Sequence, residues 1–489
     1  MAGSLKQNYL FNITSEIVII IAPLLLTPYL TRTLGSEGLG EYAYYFSFAS
    51  YFVLFSMLGL PNYGRRIIAK TRDDESKLSR VFCELYSFQI CTSIVVTIIY
   101  CCFVHFFLHD YYISWIFAVY VASSIFDIKW LFFGMEQFKT TVIRNILMKL
   151  FSVILSFLFV KRTVDVWVYS LITATGFLGA NLLLFLKVKK LTGAAFHFCW
   201  SWKEHIKPVL VLFIPEIAVS IYKVMDKVML GLMTNLNEVG FYESSEKVIK
   251  VPMAFITALG AVMVPRISNL LVNKEEEKTN LYLHKTMVYS IFLNSVMCFG
   301  IIAVADVFCP LFFGSGFERC IDLFAVLLPS CIFLAFASVI RTQLILPHEM
   351  DKQLSVILLI GSAVNLALNI VLIPLFQSVG AAAATLTTEA VVCILHCYLV
   401  REKIQIIPLI NNSVPFVFAG GIMVLVVRSL NIHVSNDYSL LLIKVLLGAI
   451  TYIIVLVSVC ILSNKRYLLS ELYAVLYTLK KGEEKNGHN

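Results

Sequence analysis

Fourteen long apolar runs dominate this chain. They lie near 9–30, 39–60, 81–107, 112–134, 142–160, 166–186, 208–233, 248–271, 286–308, 321–345, 354–374, 380–399, 411–428 and 440–462. A helix needs about 20 apolar residues to cross a hydrocarbon core. The runs are continuous rather than alternating, and about twice the length of a barrel strand, which argues against a β-barrel. The fold class is therefore an all-α integral membrane protein with about 14 transmembrane helices. The third run is the longest and the thirteenth the weakest. Composition closes off the alternatives. Of 489 residues, 59% are hydrophobic and 14% charged, against about 25% charged in an average soluble domain. A soluble fold of this size has too little interior to hide so much apolar surface. Soluble enzymes, secreted disulfide scaffolds, nucleic-acid binders and disordered chains are excluded.

The net charge of +8 then reflects topology. With a cytoplasmic amino terminus and an even number of spans, inside segments hold 24 Lys and Arg and outside loops hold 5. The positive-inside rule places both ends in the cytoplasm. The first run carries Glu16, and only Lys6 precedes it, so it reads as a span and not as a cleaved signal. The longest internal loops, 61–80 and 187–207, are both cytoplasmic on this reading. No external loop has room for a folded catalytic domain.

The loop 187–207 separates two halves that share a pattern. Glu16, Gly40 and Tyr42 match Glu216, Gly240 and Tyr242 at a constant offset. Spans 1 and 7 each hold two prolines, Pro23 and Pro28 against Pro208 and Pro215. Pro61 and Arg65 after span 2 answer Pro265 and Arg266 at the end of span 8, and Glu136 and Lys139 answer Glu349 and Lys352. Six spans return the chain to its starting side, so the repeats are parallel, an arrangement typical of transporters. The expected organisation is an amino-terminal lobe over 1–190, a second lobe over 208–400, two extra helices over 411–462 and a cytoplasmic tail over 463–489.

Ionisable groups inside a span cost about 2.5–3.5 kcal/mol each on insertion scales and usually face water or a partner. Span 7 holds four: Glu216, Lys223, Asp226 and Lys227. At about 100° per residue they share one sector of about 100°. Two readings fit that face. It lines a hydrophilic cavity, or Lys223 and Asp226 neutralise each other at i,i+3. Lys250 reads as a cavity cation or as an interfacial, snorkelling one. Glu389 lies mid-span with no cation near it in sequence. It reads as a proton site, a packed acid or a partner for another helix. Asp127, Lys129 and Trp130 read as an interfacial group at a span end. Cationic central spans favour an anionic substrate, and a phosphate or pyrophosphate fits.

Other chemistry is missing from the sequence. There is no CxxC pair, no zinc spacing, no Walker A motif and no GxSxG, HExxH or kinase set. Cys393, His396 and Cys397 share a helical face and read as core packing. No cofactor or metal is expected.

The motifs resemble a known family. Thr27-Pro28-Tyr29-Leu30 with Arg32, Leu34-Gly35, Gly38-Leu39-Gly40, Asn62-Tyr63-Gly64-Arg65-Arg66 with Ala69-Lys70, and Trp130 to Glu136 are similar to Wzx-type polysaccharide repeat-unit flippases. So are Ile214-Pro215, Tyr222, Asp226-Lys227, Gly231, Glu238 to Tyr242, Glu246-Lys247, Asn365, Asn369, Pro374 and Gly380-Ala381. That family shares a superfamily with the MATE multidrug exporters and the lipid II flippases, which are the alternative readings.

The resemblance implies two six-helix lobes around a central cavity and two extra helices, in a bacterial plasma membrane. It implies flipping of an undecaprenyl-pyrophosphate-linked oligosaccharide from the cytoplasmic to the outer leaflet by alternating access, with a proton or sodium ion as coupling partner. Membrane lipids and the polysaccharide polymerase machinery would be its other partners. The expected headgroup contacts are Arg32, Lys223, Lys227 and Lys250, with Arg65 and Arg266 near the cytoplasmic mouth and Asp226 balancing the charge. Glu16, Glu216 and Glu389 are the carboxyls available for ion coupling.

Overall fold

The computed structural model describes residues 5–107, 112–192, 196–273, 275–430 and 434–471, without the side chains of 5–20, Tyr222, Lys223, Ala261, Val262 and Val272. Among the described residues the regular structure is helical. The longer helices are α1 (Leu5–Met57), α2 (Leu60–Thr71), α3 (Glu75–Phe107), α4 (Tyr112–Ala122), α5 (Lys129–Gly134), α6 (Phe138–Phe159), α7 (Val166–Phe185), α8 (Val188–Thr192), α9 (Lys203–Met233), α10 (Leu236–Val272), α11 (Glu276–Phe313), α12 (Arg319–Leu327), α13 (Ser330–Ile340), α14 (Asp351–Phe376), α15 (Ser378–Val400), α16 (Ile406–Ser429) and α17 (Asp437–Leu462).

Among the described residues, twelve helical segments are long and apolar enough to cross a membrane, and a bent pair within α9 makes thirteen. The first of the twelve holds two of the expected crossings. They join at Gly35, where φ is 71° and the helix breaks. A left-handed φ is open to glycine at no steric cost, so the chain reverses there without a loop. The two pieces of α9, Lys203–Ile221 and Val224–Met233, meet at 52°. The weak thirteenth run is a full helix of 24 residues, α16.

The chain forms two compact units. One holds Met1–Lys247 with Leu366–Ala381, the other Val248–Asn365 with Ala382–Asn489. The first has a core around Trp130, Phe82, Leu85, Phe132 and Ile68. Trp130 is buried, and its indole N–H donates to Gln89 Oε1 at 2.8 Å. The same Gln89 amide donates to the carbonyls of Ser124, Ile125 and Asp127 at 2.7, 3.3 and 3.1 Å. Those carbonyls belong to the break between α4 and α5, where Ser124 O also accepts from Asp127 N at 3.2 Å. In a membrane interior such groups must be satisfied by protein. Gln89→Leu is expected to lower stability by about 3 kcal/mol, because it removes the indole's acceptor and the amide that donates to these carbonyls. Thermal unfolding in detergent measures this. Asp127 and Lys129 pair with each other at 2.7 Å.

The second unit is built on α11, α16 and α17. Helix α17 shows how a span divides its faces. Lys444, Gly448, Tyr452, Leu456 and Cys460 are buried at every fourth position. Leu442, Leu446, Ile450 and Ile453 are exposed on another face, as lipid contact requires. Buried Lys444 pairs with Asp306 of α11, and Ser295 Oγ donates to Phe416 O at 2.7 Å. Cys393 and His396 are buried, in keeping with core packing. No metal-binding group is found among the described residues.

The sequence repeat has a backbone counterpart. Glu136 and Glu349 both stand at φ 56°. Gln137 N donates to Phe132 O and Met350 N to Ile345 O, while Glu136 N donates to Phe133 O and Glu349 N to Leu346 O. Both turns are the same helix-ending motif with a left-handed residue.

Candidate functional site

The hairpin of α9 and α10 brings charged side chains of both signs together. It turns at Thr234–Asn235, and Asn235 Oδ1 accepts from Glu238 N at 3.1 Å, capping α10. Two antiparallel helices bring residues equidistant from the turn face to face. Lys227 and Glu243 are such a pair. The Lys227 ammonium lies 3.0 Å from Glu243 and 2.9 Å from Glu246, and Lys247 lies 3.5 Å from Glu243. Lys227 is 12% exposed at its side chain. Its charge is balanced within the protein, so an anion reaches it only by displacing a carboxylate.

Asp226 is buried. Tyr242 Oη donates to its Oδ2 at 2.7 Å, and Asn369 Nδ2 of α14 donates to its Oδ1 at 2.6 Å. These bonds join α9, α10 and α14 within the first unit. One step outward, the buried Glu238 carboxylate accepts from Ser378 N at 3.0 Å at the start of α15. A carboxylate there complements the helix dipole.

Toward the other end of the first unit, Asn62 Nδ2 donates to Glu216 Oε1 at 2.5 Å. Nearby, Tyr63 Oη bonds His205 Nδ1 at 2.7 Å, His205 Nε2 bonds Glu84 at 3.1 Å, and Arg80 Nε donates to Glu84 at 2.9 Å. This chain fastens the start of α9 to α2 and α3.

The expected site residues distribute as follows. In the first unit, Arg32 is exposed and donates to Pro28 O at 3.0 Å, and Arg65 is exposed on α2. In the second unit, Lys250 and Arg266 are exposed and Glu389 is buried. Arg266 stacks over the Tyr282 ring at 4.1 Å. The side chains of Glu16 and Lys223 lie outside the described residues. The sequence reading gave no role to Glu243, Tyr242, Asn369 or Asn62. The hairpin geometry was the signal for Glu243 and Tyr242, since both mirror span 7 residues about the turn. Nothing in the sequence brings Asn369 to Asp226.

Residues 5–271, more than half of the chain, match the family described as "Polysaccharide biosynthesis protein". The chain belongs to this family. A candidate O-antigen transporter of Escherichia coli (strain K12) is 24% identical over 413 residues, covering 82% of this chain and 97% of the relative. Among solved structures, a lipid II flippase, MurJ, in an inward closed conformation is similar with a TM-score of 0.68 at 15% identity, over 92% of this chain and 97% of that one. An inward-facing MATE multidrug resistance transporter of the MOP superfamily follows at 0.59 and 12% identity, over 87% and 96%. The structural likeness is one of fold. With the family match it makes this polysaccharide biosynthesis protein a multi-pass membrane protein with a transporter fold.

Proposed function

We propose that this protein is a flippase that moves an undecaprenyl-pyrophosphate-linked oligosaccharide repeat unit from the cytoplasmic to the outer leaflet of a bacterial plasma membrane. The observation that carries the reading is the charged face of span 7, set in a chain of a polysaccharide biosynthesis family. The sugar and pyrophosphate follow a polar path while the lipid tail stays in the bilayer. Residues 1–190 and 208–400 act as two lobes that rock in alternating access, 411–462 adds two extra helices, and both termini are cytoplasmic.

Arg65 and Arg266, both exposed, receive the headgroup at the cytoplasmic mouth. Arg32, Lys223, Lys227 and Lys250 hold it along the path. The Lys227 ion pairs make that contact conditional, since the pyrophosphate has to compete with Glu243 and Glu246. This keeps the site from binding stray anions. Asp226 holds the hairpin in register. A proton or sodium ion at Glu16, Glu216 or Glu389 couples the cycle, and the polymerase machinery takes the product.

Thermal shift in detergent tests the substrate class. An undecaprenyl-pyrophosphate glycan is expected to raise the melting temperature, because a ligand that binds only the native state stabilises it. A lipophilic cation is expected to leave it unchanged. Stabilisation by the cation alone would move the reading to a multidrug exporter.

A further inference from the structure

The segment that joins the two halves of the sequence carries exposed aromatic rings and a dense positive charge. Residues 187–207 hold five lysines and one glutamate, Glu204. Lys187, Lys189, Lys190, Lys203 and Lys207 are all exposed. Phe196, Phe198 and Trp200 are 37%, 44% and 71% exposed. The rings are held in place. Cys199 N donates to Ser87 Oγ of α3 at 2.9 Å. The Phe196 ring meets Tyr86 edge-on at 4.9 Å, and Trp202 packs on Phe88 at 5.5 Å. Phe198 and Trp200 lie edge to face at 5.2 Å. Two helices act as rulers for the depth of this segment. Helix α3 exposes Ile94, Ile98, Phe106 and Phe107 on a lipid-facing side. Counting about 20 residues back from Phe107, one hydrocarbon thickness, reaches Ser87. Helix α7 starts at Val166, and the same count of about 20 ends at Leu186, next to Lys187.

We propose that residues 187–192 and 196–203 form a lipid-binding anchor, which seats its aromatic rings in the cytoplasmic headgroup layer and holds anionic phospholipids with its lysines. This goes beyond the flippase reading and rests only on the cytoplasmic placement of the segment. Both rulers put it at the edge of the hydrocarbon, on the side that the positive-inside rule makes cytoplasmic. Residues 196–199 have no regular secondary structure. Backbone of that kind is not tolerated against hydrocarbon, but water satisfies it among headgroups. Trp and Phe rings seat at the boundary between headgroups and acyl chains. Five lysines against one carboxylate suit an anionic leaflet, and their long stems carry the ammonium groups out to the phosphates. Exposed indoles also stack on sugars, but two phenylalanines flanked by lysines fit a lipid boundary better. The segment is fastened to α3 and leads into α9, so lipid held here braces the cytoplasmic ends of both helices.

Fluorescence quenching by brominated lipids tests this on the full chain in liposomes. Trp200→Phe keeps an aromatic ring and removes one of five tryptophans, so the difference from wild type isolates Trp200. Its emission is expected to be quenched more by bromines high on the acyl chain than by bromines near the chain end. It is expected to be shielded from iodide supplied on both sides of the bilayer. At equal mole fraction in a zwitterionic host, brominated phosphatidylglycerol is expected to quench about fivefold more effectively than brominated phosphatidylcholine. The variant Lys187→Gln/Lys189→Gln/Lys190→Gln/Lys203→Gln is expected to lose that preference and keep the depth profile. The comparison of lipids on wild type stands even where that variant fails to fold. Iodide quenching of Trp200 without bromine quenching would overturn the anchor. Equal quenching by the two lipids, or a preference that survives the lysine exchange, would overturn the anionic site. Shielding from iodide by added oligosaccharide, or only at high protein-to-lipid ratio, in place of bromine quenching would give the surface to a sugar or to a second copy and overturn it as well.

Discussion

Lys227→Met is expected to cost both stability and transport, and the two losses can be separated. The substitution leaves Glu243 and Glu246 facing a hairpin interior without their shared cation. Their side chains are 12% and 27% exposed, so water screens them poorly. Lys247, 3.5 Å from Glu243, compensates in part. Breaking a buried pair by removing one partner costs about 3–5 kcal/mol, whereas replacing the whole set by neutral groups costs little. The triple variant Lys227→Met/Glu243→Gln/Glu246→Gln is therefore expected to recover the wild-type unfolding midpoint. Its flipping rate is expected to stay down by about tenfold or more, because the pyrophosphate has lost a cation. Recovery of both stability and flipping in the triple variant would make Lys227 a structural residue alone.

Asp226→Ala is expected to destabilise the fold by about 3 kcal/mol or more. It removes the acceptor of two charge-assisted hydrogen bonds, each worth about 1.5–3 kcal/mol. Tyr242 and Asn369 would then each lose this acceptor, at the point where α9, α10 and α14 meet. Asp226→Asn keeps one acceptor oxygen and is expected to fall between. Asn369→Ala added to Asp226→Ala should cost less than the two separately, since the pair shares one bond. Chemical unfolding of the four variants and wild type in mixed micelles gives the ordering. An Asp226→Ala variant as stable as wild type would contradict the role assigned to this carboxylate.

Much of the architecture was legible because a bilayer allows so few solutions. Continuous apolar runs could only be helices, and even the weak run at 411–428 emerged as α16. The offset between Gly40 and Gly240 was legible as a repeat, and the structure gives it a physical reason: the two glycines cross each other. What the sequence left open were polar groups whose partners are distant along the chain. The indole partner of Trp130, Gln89, lies on another helix. The face of span 7 fitted a cavity or internal pairing equally, because helical angles describe one helix at a time. Two neighbours of Lys227 lie across a turn on the next.

Leaflet exposure in proteoliposomes tests the central claim most directly. Purified protein is reconstituted with an undecaprenyl-pyrophosphate oligosaccharide, and arrival of the headgroup on the far leaflet is followed with and without proton and sodium gradients. The account predicts protein-dependent arrival that is lost when Lys223 and Lys227 are both replaced by Ala in a variant that still folds. No arrival with folded wild-type protein, across several glycans and both gradients, would contradict it.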